Sequence, residues 1–424
     1  MVAGSAQADE LETNTSSSTP TVEDIPDSFW SWLELGGYAV PKFVRSTQHR
    51  YAGAAEPESE EPTVRIGGAL RFNVAWRSWA GEAQAPGIAS FDTFRVDVAA
   101  RYASFFLSAQ YRFYAGYHML QHGYMGVDLP ETPLEWRVGV NQVPFGILPY
   151  ASHNWFFSLG YYVGLEDDYD LGTELRCDLG AVNLRLAFFK NDEGSYSGGS
   201  VDSARYSYDL VRTSAGALEA AGIPEARSLE EVNHTHLRAT ATASHGDFGT
   251  TEFGLSGQIG QTFENETEAR NLTWAAAAHV VGNYGWLDVQ LELARYEIQL
   301  DTRTVSNPGV VAMGAYDAPY AVPASATLIV ANVGLEIPVD SPLVDSVTPY
   351  VDFSMLTGKP EDQKDTLQLV VGALLTAGPI YIYLDVANGL NHAWLGADYA
   401  SAFVASTSGA GWHTRANANL GWYF

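Results

Sequence analysis

Residues 412–424 read Trp-His-Thr-Arg-Ala-Asn-Ala-Asn-Leu-Gly-Trp-Tyr-Phe, and the two classes of side chain alternate along them. Ala416, Ala418, Leu420, Trp422 and Phe424 fall on one parity. His413, Arg415, Asn417, Asn419, Gly421 and Tyr423 fall on the other. Successive side chains of a β-strand point to opposite faces, so this strand has an apolar face and a polar, charged one. A membrane strand and the last strand of a soluble sandwich both carry that pattern. The rest of the chain decides between them.

Working backwards, the same alternation recurs in fifteen further segments, at about 64–79, 91–102, 104–116, 118–129, 134–142, 169–179, 181–190, 234–245, 248–260, 271–281, 284–298, 326–337, 346–356, 366–377 and 379–389. In the first, Leu70, Phe72, Val74 and Trp76 oppose Arg71, Asn73 and Arg77. The segment at 118–129 is the weakest, because Gln121 interrupts its apolar face. Sixteen is an even number, as single-chain outer-membrane barrels require. Tight-turn residues at Ala103-Ser104, Leu179-Gly180, Gly246-Asp247, Gly282-Asn283 and Gly378-Pro379 alternate with long loops at about 143–168, 191–233, 299–325 and 390–411. Counted back from the C-terminal strand, every tight turn lands on one end, which is the periplasmic end in such barrels.

Energy assigns the faces. An arginine at the bilayer midplane costs roughly 2–4 kcal/mol on the lipid side. A one-residue slip would place Arg71, Arg95, Arg112, Arg137, Arg176, Arg185 or Arg238 there. The arginine faces therefore look inward; Arg295, in phase with Leu291 and Leu293, is the exception and belongs near the outer headgroups. The reading is an all-β, 16-stranded antiparallel transmembrane barrel over 64–424 with an aqueous lumen.

Composition agrees. The 424 residues carry 50 acidic against 23 basic side chains, which excludes a nucleic-acid partner for want of a basic stripe. Eleven Trp and 23 Tyr suit two interfacial girdles. The single cysteine, Cys177, excludes an internal disulfide and Cys-rich metal sites. His234 and His236 share a face without a third ligand, so neither metal nor cofactor is expected.

Residues 1–8 read MVAGSAQA, with Ala6 and Ala8 placed as in the remnant of a signal peptide, although the basic start and apolar stretch before such a cut are absent. From 9 to 63 the chain is rich in Ser, Thr, Pro and Glu, with eleven acids against Lys42, Arg45 and Arg50, and is expected to be a mostly disordered periplasmic tail. Phe29 to Val40 is its one apolar patch.

Two resemblances follow from these residues. The aromatic closing strand, with Leu420, Trp422 and Phe424 in phase, resembles the membrane-insertion signal read by the barrel assembly machinery. The stretches VRIGGALRFNVAW (64–76), FRVDVAARYASFFLSAQYRFYAG (94–116) and RVGVNQVPFGI (137–147) resemble, in order and spacing, the phosphate-selective porin superfamily. The family's Gly-Gln-x-x-Val-Pro-Phe-Gly-like motif here reads Asn141-Gln142-Val143-Pro144-Phe145-Gly146, with Asn for Gly and two residues fewer. The resemblance implies a bacterial outer-membrane homotrimer of sixteen-strand diffusion channels, embedded in lipid and lipopolysaccharide, whose third loop folds into the lumen. It does not carry phosphate with it: the chain has only Lys42, Lys190, Lys359 and Lys364, and only Lys190 lies in a proposed strand.

The loop after Pro144 is too apolar for a freely solvated one, and folding it inward would bury Trp155, Phe156, Phe157, Tyr161 and Tyr162. Packing on a neighbouring subunit or the rim would do the same. Arg71, Arg95, Arg101, Arg112, Arg137 and Arg176 face it from the wall, and Glu166, Asp167, Asp168 and Asp170 end it. Opposed charges across a narrow passage would orient dipolar solutes and discriminate ions; simple pairing of each arginine with a neighbour is the alternative. The expected function is passive diffusion of small hydrophilic or ionic solutes. The alternative is a receptor or structural barrel with a blocked lumen whose outer loops bind a partner. No nucleophile constellation suggests an enzyme.

Overall fold

A computed structural model describes residues 62–81, 87–194, 204–264, 267–300, 309–360, 362–406 and 411–424. The signal-peptide remnant, the acidic tail as far as residue 61 and the Phe29–Val40 patch lie outside the described residues. Sixteen strands form one closed antiparallel barrel. They are β1 Thr63–Arg77, β2 Ile88–Tyr102, β3 Phe105–Phe113, β4 His118–Asp128, β5 Leu134–Gln142, β6 Tyr169–Asp178, β7 Val182–Asp192 and β8 Glu230–Ser244. The second half comprises β9 Thr250–Glu264, β10 Ala269–Tyr284, β11 Leu287–Ile298, β12 Ser325–Leu335, β13 Ser346–Thr357, β14 Thr366–Ala377, β15 Ile380–Leu390 and β16 His413–Tyr423. The cylinder closes where β1 pairs with β16, from Ala69↔Tyr423 to Arg77↔Arg415. Closure leaves no unpaired strand edge.

The alternation has the predicted sense. Leu70, Phe72, Val74, Trp76, Leu291, Leu293, Leu420, Trp422 and Phe424 project outward, while Asn73, Arg95, Arg112, Gln290, Glu292 and Asn419 are buried inside. Arg295 faces the outside at the long-loop end, where it donates to the carbonyl of Gly358 at 2.8 Å.

Three local departures have physical causes. The β10–β11 turn falls at Gly285-Trp286, not Gly282-Asn283: Gly282 is paired with Val289, and Gly285 takes the left-handed φ of +56° that the turn needs. Gln121 does not spoil a lipid face. It sits at a β-bulge between the pairs Gln110↔His122 and Tyr111↔Leu120, and it points inward to donate to the Tyr169 hydroxyl at 3.0 Å. A second bulge, between Arg71↔Thr93 and Phe72↔Phe91, re-aims Asp92, whose parity would have sent it outward, so that it meets Arg71.

Loops occupy the long-loop half of the barrel. Residues 310–323 form a hairpin, Val310–Ala315 with Ala318–Pro323, to which Asp209–Leu210 adds a third strand. Tyr316 and Asp317 both have positive φ at its two-residue turn, the geometry hairpin twist favours. Around this small sheet Tyr161, Tyr162, Tyr208, Tyr320 and Phe403 pack edge to face and tilted. The short-turn half is less filled: Arg101 and Asp128 remain about two-fifths exposed.

Candidate functional site

The decisive feature is the β5–β6 loop, residues 143–168. It leaves the wall after Gln142 and crosses the interior. Gly146 takes φ +57°, and a Cβ there would lie 2.5 Å from Glu292 Oε2 on β11. Glycine is therefore needed for both conformation and approach. Beyond it the Ile147 N–H donates to Glu292 at 2.8 Å, and Arg238 of β8 donates to the Gly146 carbonyl at 2.8 Å. Asn332 of β12 donates to the Ala151 carbonyl at 2.7 Å, and Gln368 of β14 to that of Phe157 at 2.6 Å. The Leu159 N–H donates to Ser354 of β13 at 3.0 Å. The loop thus lies inside the barrel, fastened along the wall from β8 to β14. Lumen-facing acids and amides on those strands satisfy its backbone, which is how irregular chain survives in a buried place.

The opposite wall carries the arginines. Arg71 pairs with Asp92 at 3.0 Å. Arg95 pairs with Asp97 at 2.9 Å and lies over the Tyr423 ring, 5.2 Å from its centroid. Arg112 donates to Gln110 at 2.7 Å and stacks over Tyr206 at 4.3 Å. Arg137 pairs with Glu135 and stands 4.5 Å over Tyr124. Arg176 pairs with Glu174 at 2.8 Å. Arg101 pairs with Asp128 at 2.6 Å near the short-turn rim, away from the loop. Within the ladder these ions are fixed by carboxylates and rings, which holds each guanidinium in place.

The acids closing the loop have separate roles. Glu166 accepts from the Ala151 N–H at 2.8 Å, the Ser158 N–H at 3.1 Å and the Ser158 hydroxyl, all within the loop. Burial pushes its carboxyl up to about 8 despite those donors. Asp167 accepts from the Tyr169 hydroxyl at 3.0 Å and from that of Tyr206. Burial raises it to about 7, against the pull of the Tyr206 hydroxyl and of Arg112. Asp168 and Asp170 sit beside Asp209 rather than beside an arginine ladder. Val143 donates its N–H to the Asp168 carbonyl at 2.8 Å, so the two ends of the loop meet, and Pro144 and Phe145 follow, buried. His234 and His236 have ring centroids 6.0 Å apart, and His234 contacts Glu231 at 3.3 Å.

Residues that sequence reasoning passed over complete the site. His153 lies between Asp288 and Asp352, and Arg415 of β16 covers Trp155 and Phe156 at 5.4 and 5.1 Å from their centroids. Asp288, Glu292 and Asp352 were visible as polar residues on inward parities, but nothing in their own strands announces a loop arriving from 135–199 residues away.

A closed sixteen-strand antiparallel barrel with a loop folded along its inner wall is a porin-type fold. Solved structures similar to this chain agree. The anion-selective porin from Comamonas acidovorans is 10% identical with a TM-score of 0.54, over 86% of this chain and 100% of that one. The outer membrane channel DcaP of Acinetobacter baumannii is 10% identical with a TM-score of 0.52, over 88% and 100%. OmpT, an outer membrane protein of Vibrio cholerae in its trimer form, is 12% identical with a TM-score of 0.51, over 86% and 99%. At such identities the likeness concerns the fold. No family model and no curated protein matches the sequence.

Proposed function

We propose that the protein is an outer-membrane porin giving passive passage to small hydrophilic or ionic solutes. The observation that carries this reading is the β5–β6 loop fastened to one wall while arginines stand along the other. Such an arrangement narrows a wide barrel and sets fixed charge along its inner wall. Arg71, Arg95, Arg112, Arg137 and Arg176 form the positive side. Asp92, Asp97, Glu135 and Glu174 temper it, and Trp155 and Phe157 of the loop offer ring faces. Arg101 serves the entrance at the short-turn end. The resemblance to phosphate-selective porins supports the channel class; the scarcity of lysine argues against phosphate as its dedicated solute. A homotrimer in lipid and lipopolysaccharide, inserted by the barrel assembly machinery through Leu420, Trp422 and Phe424, completes the proposal.

Purified, folded protein in liposomes should give swelling rates that fall with solute size for neutral sugars and amino acids. Absence of swelling would overturn the porin reading. A second reading has its own observation: the hairpin at 310–323 and its tyrosines fill the long-loop half. A barrel blocked there would use its outer loops to bind a partner, and it would neither swell liposomes nor conduct.

A further inference from the structure

Three carboxylates converge where the β5–β6 loop rejoins the wall. Asp168 ends the loop, Asp170 is the second residue of β6, and Asp209 arrives on the short inner strand from the β7–β8 loop. One oxygen from each lies within 4.8 Å of the other two, and all three residues are buried. Asp168 Oδ1 accepts from the Tyr169 N–H at 2.9 Å. Asp209 Oδ2 is 3.7 Å from Arg205 Nη1, while that guanidinium is engaged more closely by Asp192. Asp170 supplies an independent sign. Its Oδ1 has no hydrogen-bond partner, although the residue is only 2% exposed. A buried carboxylate oxygen without a donor, on a side chain grouped with two other carboxylates, is unfavourable as a bare anion, and a bound cation relieves it as a proton would.

The ligand chemistry is all oxygen and all anionic. Hard divalent cations of calcium's size take such sets, filling the remaining positions with carbonyls or water, whereas soft transition metals prefer sulfur and imidazole. We propose that Asp168, Asp170 and Asp209 hold one calcium-type divalent cation, which pins the β7–β8 loop to the foot of the β5–β6 loop. The site ties a lumen-folded segment to the one above it and does not depend on whether solute flows through the barrel.

The test uses the full chain, refolded in detergent free of lipopolysaccharide and stripped with chelator. Calorimetric titration with calcium chloride should show one tight site per chain, and calcium should raise the temperature of barrel unfolding. Asp170→Asn and Asp209→Asn variants that still fold should bind at least tenfold more weakly. No calcium binding by the wild type, or binding unchanged in both variants, would overturn the proposal. Should neither variant fold, terbium decides on the wild type, because Tyr169 and Tyr208 adjoin the ligands and would sensitise its emission. Emission saturating at one ion per chain and displaced by calcium supports the site; no sensitised emission, or emission that calcium leaves intact, refutes it.

Discussion

His153 and Asp352 are bonded twice: the imidazole Nδ1 lies 2.7 Å from Asp352 Oδ1, and the His153 N–H donates to Oδ2 at 2.6 Å. Asp288 takes the other ring nitrogen at 2.6 Å. One imidazole therefore ties the loop to both β11 and β13. Burial disfavours its charged form, yet Asp352 and Asp288 outweigh burial and raise the imidazole to about 9. A raised value means that the clip's contribution is complete below the ordinary histidine value of about 6.5 and is lost as pH rises through about 9. Open-channel current noise should be low at neutral pH and grow towards pH 10. His153→Ala should be noisy across the range and cost about 3–5 kcal/mol, as for a broken buried ion pair. A wild-type profile as flat as that of His153→Ala would count against the clip.

Gly146→Ala tests the loop's entry. The new Cβ would press on Glu292 and hold a left-handed φ, with a cost of about 1–3 kcal/mol. Urea titration of vesicle-inserted protein, followed by tryptophan fluorescence, should show that loss. Stability equal to wild type would mean that the loop does not pass Glu292.

Leu291→Arg tests which face meets hydrocarbon. Leu291 lies mid-strand on β11, facing outward, and the substitution should cost about 2–4 kcal/mol. A neutral outcome in the same titration would contradict the assigned register.

Much of this was legible in the residues. Sixteen spans, their faces and the side of every short turn follow from alternation, because strand periodicity and the cost of charge in lipid act locally on each segment. That the β5–β6 loop is buried was legible from its Pro, Trp, Phe and Tyr content, but that content fits the lumen, the rim or a neighbouring subunit alike, and only the porin resemblance pointed inward. What stayed hidden depends on distance or on one-residue irregularities. Gln121 and Asp92 break parity because bulges re-aim them, and a bulge leaves no periodic trace. Glu166 serves the loop's own backbone, and Asp168 and Asp170 meet Asp209, because the β7–β8 loop folds back inside. Val310 to Pro323 carries a hairpin signal, two apolar runs around Tyr316-Asp317, but its runs are too short for barrel strands and lack their alternation.

Replacing Arg71 and Arg112 with alanine removes two positive groups from the wall facing the loop while leaving Arg101 at the rim. The reversal potential in a potassium chloride gradient should move towards cations. Arg101→Ala should move it less. Equal shifts would place the selective step at the rim.

The most direct measurement is single-channel recording of the folded wild-type chain in planar bilayers. The account predicts discrete, voltage-linear conductance steps proportional to salt concentration. Electrically silent bilayers, with insertion of the folded barrel verified on the same sample, would contradict it.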